Sequence, residues 1–404
     1  MEDVNQDLVR ELPADAEDWQ LQAPIQEAVN LFYDGKLAEA GKLLFDHNPL
    51  SSVCSYVCPQ EDQYKTHDLM GPGGVPVHIS SIQRYISDYY LSTFEPVRST
   101  RENGKVAVIG AGPAGMAMSI ALARKNYDVT LFEQYEQIGG NLRYGIPEFR
   151  LPNLTIDVLA TKLVQFGVRI RPNTVIGINL TMDDLLRDGY EAVYISTGTW
   201  RPGKLGIKGE SLGHVYFAVE YLKSPTLHQL GKKVIVIGAG NVAMDAARTA
   251  FRYGATEVTI YCRTNEASIT ALDHEVYYAK IDGASFTMYK TAKEIVDDGV
   301  IFLDNDMKGR PIAGTEKHYD ADSVIIAIGQ RPRSIIVQST TGIAIDERRR
   351  VTVDANGQTT REGVFSGGDV VTGARTVIDA VMTSLRVAES IDDYIKAKRA
   401  KTKE

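Results

Sequence analysis

The hydrophobic positions of the chain follow one pattern before about residue 102 and another after it. In the first part, apolar residues recur at helical spacing over 25–32, 36–45 and 79–91, with Gly35 and Asn48-Pro49 interrupting or ending the runs. This spacing predicts a small helical domain. The third helix is expected to carry apolar and aromatic residues along one face. That face comprises Ile79, Ile82, Tyr85, Ile86 and Tyr89.

After residue 102, short apolar strands alternate with helices, and the last helix is predicted over about 374–396. This alternation is typical of α/β proteins with parallel sheets. The order of the segments predicts two nested Rossmann-like nucleotide-binding domains. The expected domains are 1–102 (helical), 103–200 with 330–404 (first nucleotide domain) and 201–329 (second nucleotide domain).

Two glycine-rich loops carry the chemistry. Each follows an apolar strand and opens a helix, one at Gly110-Ala111-Gly112 and one at Gly238-Ala239-Gly240. Such a loop uses its first glycine for the turn, its second for the approach of a pyrophosphate and a small third residue for helix packing. Two loops predict two bound dinucleotides, an arrangement that suits electron transfer between them. The alternative is a pair of glycine-rich strand–turn–helix units without ligands.

The end of the next strand distinguishes the two cofactors. After the first loop it is Glu133, where a carboxylate accepts hydrogen bonds from ribose hydroxyls. After the second loop, Cys262 takes the place of Glu133 and Arg263 follows. A carboxylate repels a 2′-phosphate and an arginine attracts it. The first site is therefore predicted to bind FAD and the second NADPH, unless Arg263 is only a solvated charge.

Composition narrows the function classes. The chain has 404 residues, a net charge of −8 and three cysteines, and its first thirty residues are acidic and polar. These values are typical of a globular protein and argue against nucleic acid or an anionic membrane as partner. No apolar run reaches the length of a membrane span, and no signal-peptide core is present. A cytoplasmic location is expected.

The motifs resemble those of the pyridine-nucleotide-dependent flavoproteins of the glutamate synthase small-subunit family. That family includes the electron-input part of dihydropyrimidine dehydrogenase, and it shares the nested layout of glutathione and thioredoxin reductases. The shared motifs are IGAGPAG (109–115), RYGIPEFRLP (143–152), GAGNVAMD (238–245) and GGD (367–369). The resemblance implies FAD in the first site and NAD(P)H in the second. It also implies that the loop 143–152 lines the flavin ring, although a rigid turn set by its prolines is the alternative.

The resemblance and the loop pattern together define the candidate residues. Asp369 is expected at the FAD ribityl or pyrophosphate, and the helix that follows is expected to direct its positive end at the flavin. The FAD candidates are Gly110, Gly112, Pro113, Ala114, Gly115, Glu133, Gly140, Asn141, Leu142, Arg150, Thr197, Gly198, Gly368, Asp369 and Thr376. The NADPH candidates are Gly238, Gly240, Asn241, Val242, Ala243, Asp245, Arg263 and Gly329. No acid–base catalyst and no metal ligand is predicted.

The chain departs from the family in two places. Family members bind two four-iron clusters in the helical domain, but here the run begun by Cys54 and Cys58 continues with Tyr64 and Asp68 where cysteines are expected. Two thiolates cannot supply the four that a cluster usually needs. Loss of both clusters is therefore expected, with the two cysteines as structural thiols or as part of a metal site shared with a partner. The second departure is Thr264, which stands where the family often has a second arginine, so NADH remains possible.

Three functions are compatible with these observations. The first is an NADPH-oxidising FAD protein that passes electrons to a partner subunit. The second is a self-contained reductase of a small substrate, and the third is a non-enzymatic assembly flavoprotein. Thioredoxin reductase activity is excluded, because Cys262 is the only cysteine beyond the helical part and a redox pair needs two.

Overall fold

The computed structural model describes residues 24–58, 79–333 and 335–403. The helices, in chain order, are α1 Ile25–Tyr33, α2 Leu37–His47, α3 Ser51–Val57, α4 Ile79–Thr93, α5 Pro113–Arg124, α6 Asn141–Tyr144, α7 Asn153–Phe166, α8 Met182–Arg187, α9 Ala218–Lys223, α10 Asn241–Arg252, α11 Asp273–Ile281, α12 Ile335–Ser339, α13 Asp369–Thr372 and α14 Val377–Lys403. The strands are β1 Lys105–Ile109, β2 Asp128–Phe132, β3 Arg169–Arg171, β4 Ala192–Ile195, β5 Arg201–Pro202, β6 Val215–Phe217, β7 Lys233–Ile237, β8 Glu257–Tyr261, β9 Ser285–Thr287, β10 Lys290–Val296, β11 Gly299–Asp304, β12 Lys317–Asp320, β13 Ser323–Ile326, β14 Gln330–Arg331 and β15 Val364–Ser366.

Two compact units make up the chain. The first comprises the described residues of 1–142, 148–199 and 332–404, and the second comprises 143–147 and 200–331. The helical part is grouped with the first unit. Within the described ranges, no helix combines the length and the apolar character that crossing a lipid bilayer requires.

The helical part packs α1, α2 and α4 around a small apolar core. The core residues include Ile25, Val29, Leu44 and Ile86. Gly41 on α2 allows close packing, since a Cβ on it would lie 2.3 Å from the Cβ of Tyr90 on α4. The helical spacing of the sequence thus produces the bundle that the pattern predicts.

The buried face of α4 differs from its apolar face. Ile86 is buried, but Tyr85 and Tyr89 are 58 % and 39 % exposed, and the side chain of Ile79 lies outside the described residues. The helix instead buries a partly polar face that includes Gln83, Ser87 and Leu91. Polar contacts explain the rotation: Tyr56 on α3 donates a 2.9 Å hydrogen bond to Asp88, and Ser52 also donates to that carboxylate. Burial along α4 therefore does not follow the apolar face, because apolar periodicity does not register such contacts.

The first unit contains a five-stranded parallel sheet in the order β15-β4-β1-β2-β3. The chain runs outward from β1 through β2 to β3 and then returns to the other side of β1 as β4. β1 is buried except for Lys105, its first residue, and β2 is buried throughout, as expected for a parallel sheet covered by helices. The reversal beside β1 creates a switch point at the carboxyl ends of β1 and β4, where ligands of such sheets bind.

The second unit repeats this topology. Its parallel sheet has the order β6-β13-β7-β8-β9, with β7 in the place of β1, β8 in that of β2 and β13 in that of β4. An antiparallel sheet β10-β11-β12 and a short β5-β14 pair complete the unit. The register is also repeated, since Ile109 pairs with Phe132 and Ile237 pairs with Tyr261. Residues Glu133 and Cys262 are therefore equivalent positions.

The C-terminal helix begins later than the sequence pattern indicates. A short helix α13 ends at Gly373, whose φ of +81° breaks the helical path, and α14 begins at Val377. Thr376 and Asp379 form a reciprocal cap, in which the Asp379 N–H donates to Thr376 Oγ1 and the Thr376 N–H donates to the Asp379 carboxylate. The cap fixes the start of the helix three residues beyond the predicted position, and the helix continues to Lys403.

Candidate dinucleotide-binding sites

The first glycine-rich loop lies at the switch point of the first sheet. Gly110 follows β1, has a φ of +98° and donates its N–H to the carbonyl of Phe132 over 2.8 Å. A Cβ on Gly110 would lie 2.5 Å from the carbonyl oxygen of Ser196, the residue after β4. The turn therefore needs glycine for its conformation and for its contact with the neighbouring strand end.

The second and third glycines of this loop have different surroundings. A Cβ on Gly115 would lie 1.9 Å from the carbonyl oxygen of Gly110, so helix α5 could not pack with a larger residue there. A Cβ on Gly112 would meet only the Cα of Gly140, at 3.9 Å. The protein thus leaves the space above Gly112 open, as a loop that admits a pyrophosphate requires.

The N-terminus of α5 is suited to an anion. Gly112 is its N-cap and supplies no side-chain hydrogen bond, and Pro113 occupies the first turn, where its missing N–H costs nothing. The first backbone N–H groups of the helix, including that of Ala114, are free of intrahelical partners by geometry. Gly140 closes the loop from the other side with a φ of +53°. Asn141 and Leu142 follow it as the first residues of α6, exposed and buried respectively.

Glu133 is held rigidly at the end of β2. The residue is 4 % exposed, and its carboxylate accepts 2.9 Å hydrogen bonds from the N–H groups of Ala111 and Tyr135. The carboxylate therefore fixes the glycine loop. A 2′-phosphate would meet a negative charge here.

The segment 367–376 approaches the same loop from β15. Gly368 has a φ of +71°, and a Cβ on it would lie 2.8 Å from the Cβ of Ala114. Asp369 follows at the start of α13, and burial raises its pKa to about 7, with a smaller contribution from the nearby Asp379. A hydrogen bond from the Arg375 N–H opposes this effect. Thr376 caps α14, so its side chain is already engaged with Asp379.

Of the remaining candidates of the first unit, Thr197 and Gly198 lie at the same edge. Thr197 and Gly198 follow β4 directly, and Gly198 has a φ of +63°. Arg150 is half-buried ahead of α7. The structure therefore brings the strand-end candidates together at one sheet edge.

The second loop is built in the same way as the first. Gly238 has a φ of +129° and donates its N–H to the Tyr261 carbonyl over 3.2 Å, and a Cβ on it would lie 2.3 Å from the carbonyl oxygen of Ala327. A Cβ on Gly240 would meet only Thr270 Oγ1, at 3.6 Å. Ala243 replaces the third glycine, and its methyl group is fully buried. The open position at Gly240 again leaves space for a phosphate group.

A segment after β8 closes over this loop. Asn241, the first residue of α10, accepts a 2.8 Å hydrogen bond from the Leu272 N–H through its side-chain oxygen. The N–H groups of Thr270 and Ala271 donate to the carbonyl of Ala239. Asn241 therefore positions this segment beside the phosphate loop. The sequence pattern assigned Asn241 to the nucleotide and did not reveal this second contact.

The other NADPH candidates are distributed around α10 and two strand ends. Val242 is half-buried and Asp245 is buried on the first turns of α10, and Gly329, with a φ of +94°, follows β13. Arg263 is exposed after β8. Within the ranges that the structure describes, its guanidinium has no carboxylate partner, and its backbone carbonyl accepts a 2.7 Å hydrogen bond from Asn305. The side chain is thus available to a ligand anion.

Two of the three cysteines, Cys58 and Cys262, have thiols that are poor nucleophiles. A hydrogen bond to Cys54 and burial hold the pKa of Cys58 well above its usual range. Burial raises the pKa of Cys262 to about 11. Among residues 24–58, 79–333 and 335–403, no group of three or more His, Cys, Asp or Glu side chains is arranged to hold a metal ion. Tyr64 and Asp68 lie outside the described residues.

Comparison with known proteins decides the family. Residues 104–386 match the family model of the pyridine nucleotide-disulphide oxidoreductases. The chain belongs to this family. It is an NAD(P)H-dependent oxidoreductase. Its α/β fold and its relatives agree with the predictions made from the sequence motifs. Residues 17–94 also match a second model, dihydropyrimidine dehydrogenase domain II with a 4Fe-4S cluster, over the segment in which the cluster cysteines are incomplete.

Individual relatives are similar over most of the chain. The chain is 32 % identical over 400 residues to the glutamate synthase [NADPH] small chain of Halomonas elongata, covering 91 % of this chain and 84 % of that protein. It is 32 % identical over 365 residues to the NAD-dependent dihydropyrimidine dehydrogenase subunit PreT of Salmonella typhimurium, covering 88 % and 85 %. Among solved structures, the thioredoxin reductase of T. acidophilum is 25 % identical with a TM-score of 0.58, covering 71 % of this chain and 97 % of that one.

Proposed function

We propose that this chain binds FAD at the first loop and NADPH at the second, and that it delivers electrons to a partner subunit. When bound, the two cofactors would supply the redox chemistry, with hydride passing from the nicotinamide to the flavin. The observation that carries the proposal is the repeated loop. Each of two parallel sheets places a glycine with open space above it at its switch point, and the strands beside the two loops end in opposite charges.

The residues of the first unit fit FAD. The space above Gly112 suits a pyrophosphate, and the carboxylate of Glu133 suits a ribose that carries no 2′-phosphate. Glu133 would orient the adenosine, the N–H groups at the start of α5 would bind phosphate, and Asp369 would hold a hydroxyl of the ribityl chain. Because burial raises the pKa of Asp369 to about 7, this side chain can donate as well as accept a hydrogen bond near neutral pH.

The residues of the second unit fit NADPH better than NADH. Gly240 leaves space for a pyrophosphate, and the strand end that carries Glu133 in the first unit carries Cys262 and then Arg263 here. A guanidinium binds a phosphate through charge-assisted hydrogen bonds, whereas a neutral thiol does not repel it. Arg263 would therefore select the 2′-phosphate, and the N–H groups at the start of α10 would bind the pyrophosphate.

A partner subunit as electron acceptor is supported by the names of the relatives, which are a small chain and a subunit of larger enzymes. The helical part supports it as well, since it retains a packed core and exposes Tyr85 and Tyr89 on α4. A self-contained reductase of a small substrate is the second candidate. The incomplete cysteine run favours it, because a cluster relay to a partner needs more thiolates than Cys54 and Cys58 provide.

Two measurements test the proposal. Anaerobic addition of NADPH to the purified protein should bleach the visible absorbance of its flavin, and NADH should be less effective. Purification of the tagged chain from its native cells should then yield a second polypeptide at a fixed ratio, and that complex should oxidise NADPH with a substrate that the isolated chain does not use. A chain that bleaches and turns over a small acceptor alone would favour the self-contained reductase.

A further inference from the structure

A rigid turn from the antiparallel sheet lies against the strand end that carries Arg263. The turn joins β11 to the loop before β12 and spans 305–310. Asn305 Nδ2 donates a 2.7 Å hydrogen bond to the Arg263 carbonyl. At the other end of the turn, a Cβ on Gly309 would lie 2.6 Å from Thr264 Cγ2 and 3.5 Å from the Arg263 carbonyl oxygen. Contacts at both ends therefore fix the turn on residues 263–264.

Asp306 makes the turn rigid from within. Its carboxylate accepts 2.9 Å hydrogen bonds from the N–H groups of Lys308 and Arg310 and a 2.8 Å bond from the Arg310 side chain. The Gly309 N–H donates to the Asp306 carbonyl, and Gly309 has a φ of +75°. Because Asp306 and Arg310 neutralise each other, the charge that the turn presents to its surroundings is that of Lys308.

Lys308 is exposed and lies in sequence between the two anchoring residues, Asn305 and Gly309. Within the part of the chain that the structure describes, neither Lys308 nor Arg263 has a carboxylate partner for its cationic group. The two cations thus belong to segments that contact each other at the end of β8. Asn305 is 7 % exposed, and its Oδ1 has no hydrogen-bond partner among the described residues, which leaves one buried acceptor beside the same strand end.

We infer that Lys308 is the second cation of the 2′-phosphate site and takes the role that Thr264 cannot perform. Thr264 is neutral and packs against Gly309, so it supports the turn that carries Lys308 toward Arg263. Arg263 supplies a planar, directional donor set and Lys308 a point charge, a combination that suits a phosphate monoester. The free acceptor of Asn305 suits the neighbouring ribose hydroxyl. The inference rests on the proposed binding of NADPH to the second unit.

Binding of 2′,5′-ADP and 5′-ADP, measured by calorimetry, tests the inference without turnover. The protein is compared with Lys308→Ala, Lys308→Arg and Lys232→Ala. Lys232 is the control because it is exposed, carries the same charge and lies before β7, at the opposite edge of the sheet. Lys308→Ala should weaken 2′,5′-ADP about five- to tenfold and change 5′-ADP by less than about twofold. Lys308→Arg should restore most of the affinity, and Lys232→Ala should change neither ligand.

The outcomes separate this inference from the proposed function. A wild-type protein that binds 2′,5′-ADP no better than 5′-ADP would contradict the NADPH preference and the role of Lys308 together. A wild-type preference that survives Lys308→Ala would overturn the role of Lys308 alone. Equal losses in Lys308→Ala and Lys232→Ala would also overturn it, because they would reflect the overall charge of the unit and not a site.

Discussion

Gly115 packs so closely on Gly110 that a Cβ on Gly115 would lie 1.9 Å from the Gly110 carbonyl oxygen. Gly112, three residues earlier, has no such neighbour, and its φ of −78° is accessible to any residue. Close packing therefore constrains one of these two glycines and not the other. Gly115 is required by the packing of the protein itself, whereas the packing around Gly112 leaves room for a Cβ, so under the proposed function Gly112 is required by the bound cofactor.

Gly112→Val should abolish the retention of FAD and leave the fold intact. The Cβ of the valine would point into the space proposed for the pyrophosphate, where the nearest protein atom is Gly140 Cα at 3.9 Å. Flavin absorbance after gel filtration and the thermal midpoint of the flavin-free protein measure the two effects separately. Full flavin occupancy in the purified variant would show that FAD does not bind at this loop.

Gly115→Ala provides the contrasting variant. The added methyl group meets a backbone oxygen that cannot move without distorting the turn, so the change should destabilise the unit by about 1–3 kcal/mol or more. The flavin-free variant should already show a lower midpoint of unfolding than flavin-free Gly112→Val. Similar midpoints for the two flavin-free variants would contradict the packing account.

Arg263→Ala should weaken NADPH much more than NADH. A charge-assisted hydrogen bond to the 2′-phosphate contributes about 1.5–3 kcal/mol, which corresponds to a loss of roughly 10- to 150-fold. NADH lacks that phosphate and serves as the internal control. Equal losses for both nucleotides would assign the Arg263 side chain a structural role and not recognition of the 2′-phosphate.

Asp369 should make the stability of the flavin-free protein depend on pH. Burial raises its folded pKa to about 7, whereas the unfolded value is about 3.9. Between these values the folded state binds a proton that the unfolded state has lost, so this group destabilises the fold increasingly as the pH rises from about 4 to 7. Asp369→Asn removes this dependence. The midpoint of urea unfolding should be higher in the variant than in the wild type at pH 8 and similar at pH 4, and a difference that is constant across pH would contradict the assignment.

The iron content tests the reading of the helical part. The match to a 4Fe-4S model over 17–94 predicts clusters, whereas the cysteine count of three predicts none. We expect less than one iron per chain in protein purified without oxygen. Four or eight irons per chain would show that ligands other than Cys54 and Cys58 complete a cluster, and the self-contained reductase would then lose its main support.

The sequence predicted the parts of this fold that repeat a strong local pattern. Buried apolar runs and glycine spacing predict the strands β1, β2, β7 and β8 and the loops after them. The register of the two sheets places Cys262 in the position equivalent to Glu133, as the sequence alignment of the two strand ends predicts. These features are local, so their residues determine them without knowledge of distant contacts.

Features that depend on contacts between distant segments were not predicted. The sequence did not indicate which face of α4 is buried, because the polar contacts of Asp88 with α3 determine it. The carbonyls of Ser196 and Ala327, which force glycine at 110 and 238, carry no side-chain signal at all. Likewise, the turn at Lys308 lies 45 positions from Arg263 in the sequence, and only the pairing of β10 with β11 brings it to the end of β8.

The most direct test of the account is reduction of the bound flavin by NADPH without oxygen. One equivalent of NADPH per flavin should bleach the visible absorbance band of the wild-type protein in a single turnover. The Arg263→Ala variant should need a much higher NADPH concentration for the same bleaching. A high concentration of NADH should bleach the wild type and the variant to the same extent. Tight binding of NADPH with unchanged flavin absorbance would contradict hydride transfer between the two sites and with it the central claim.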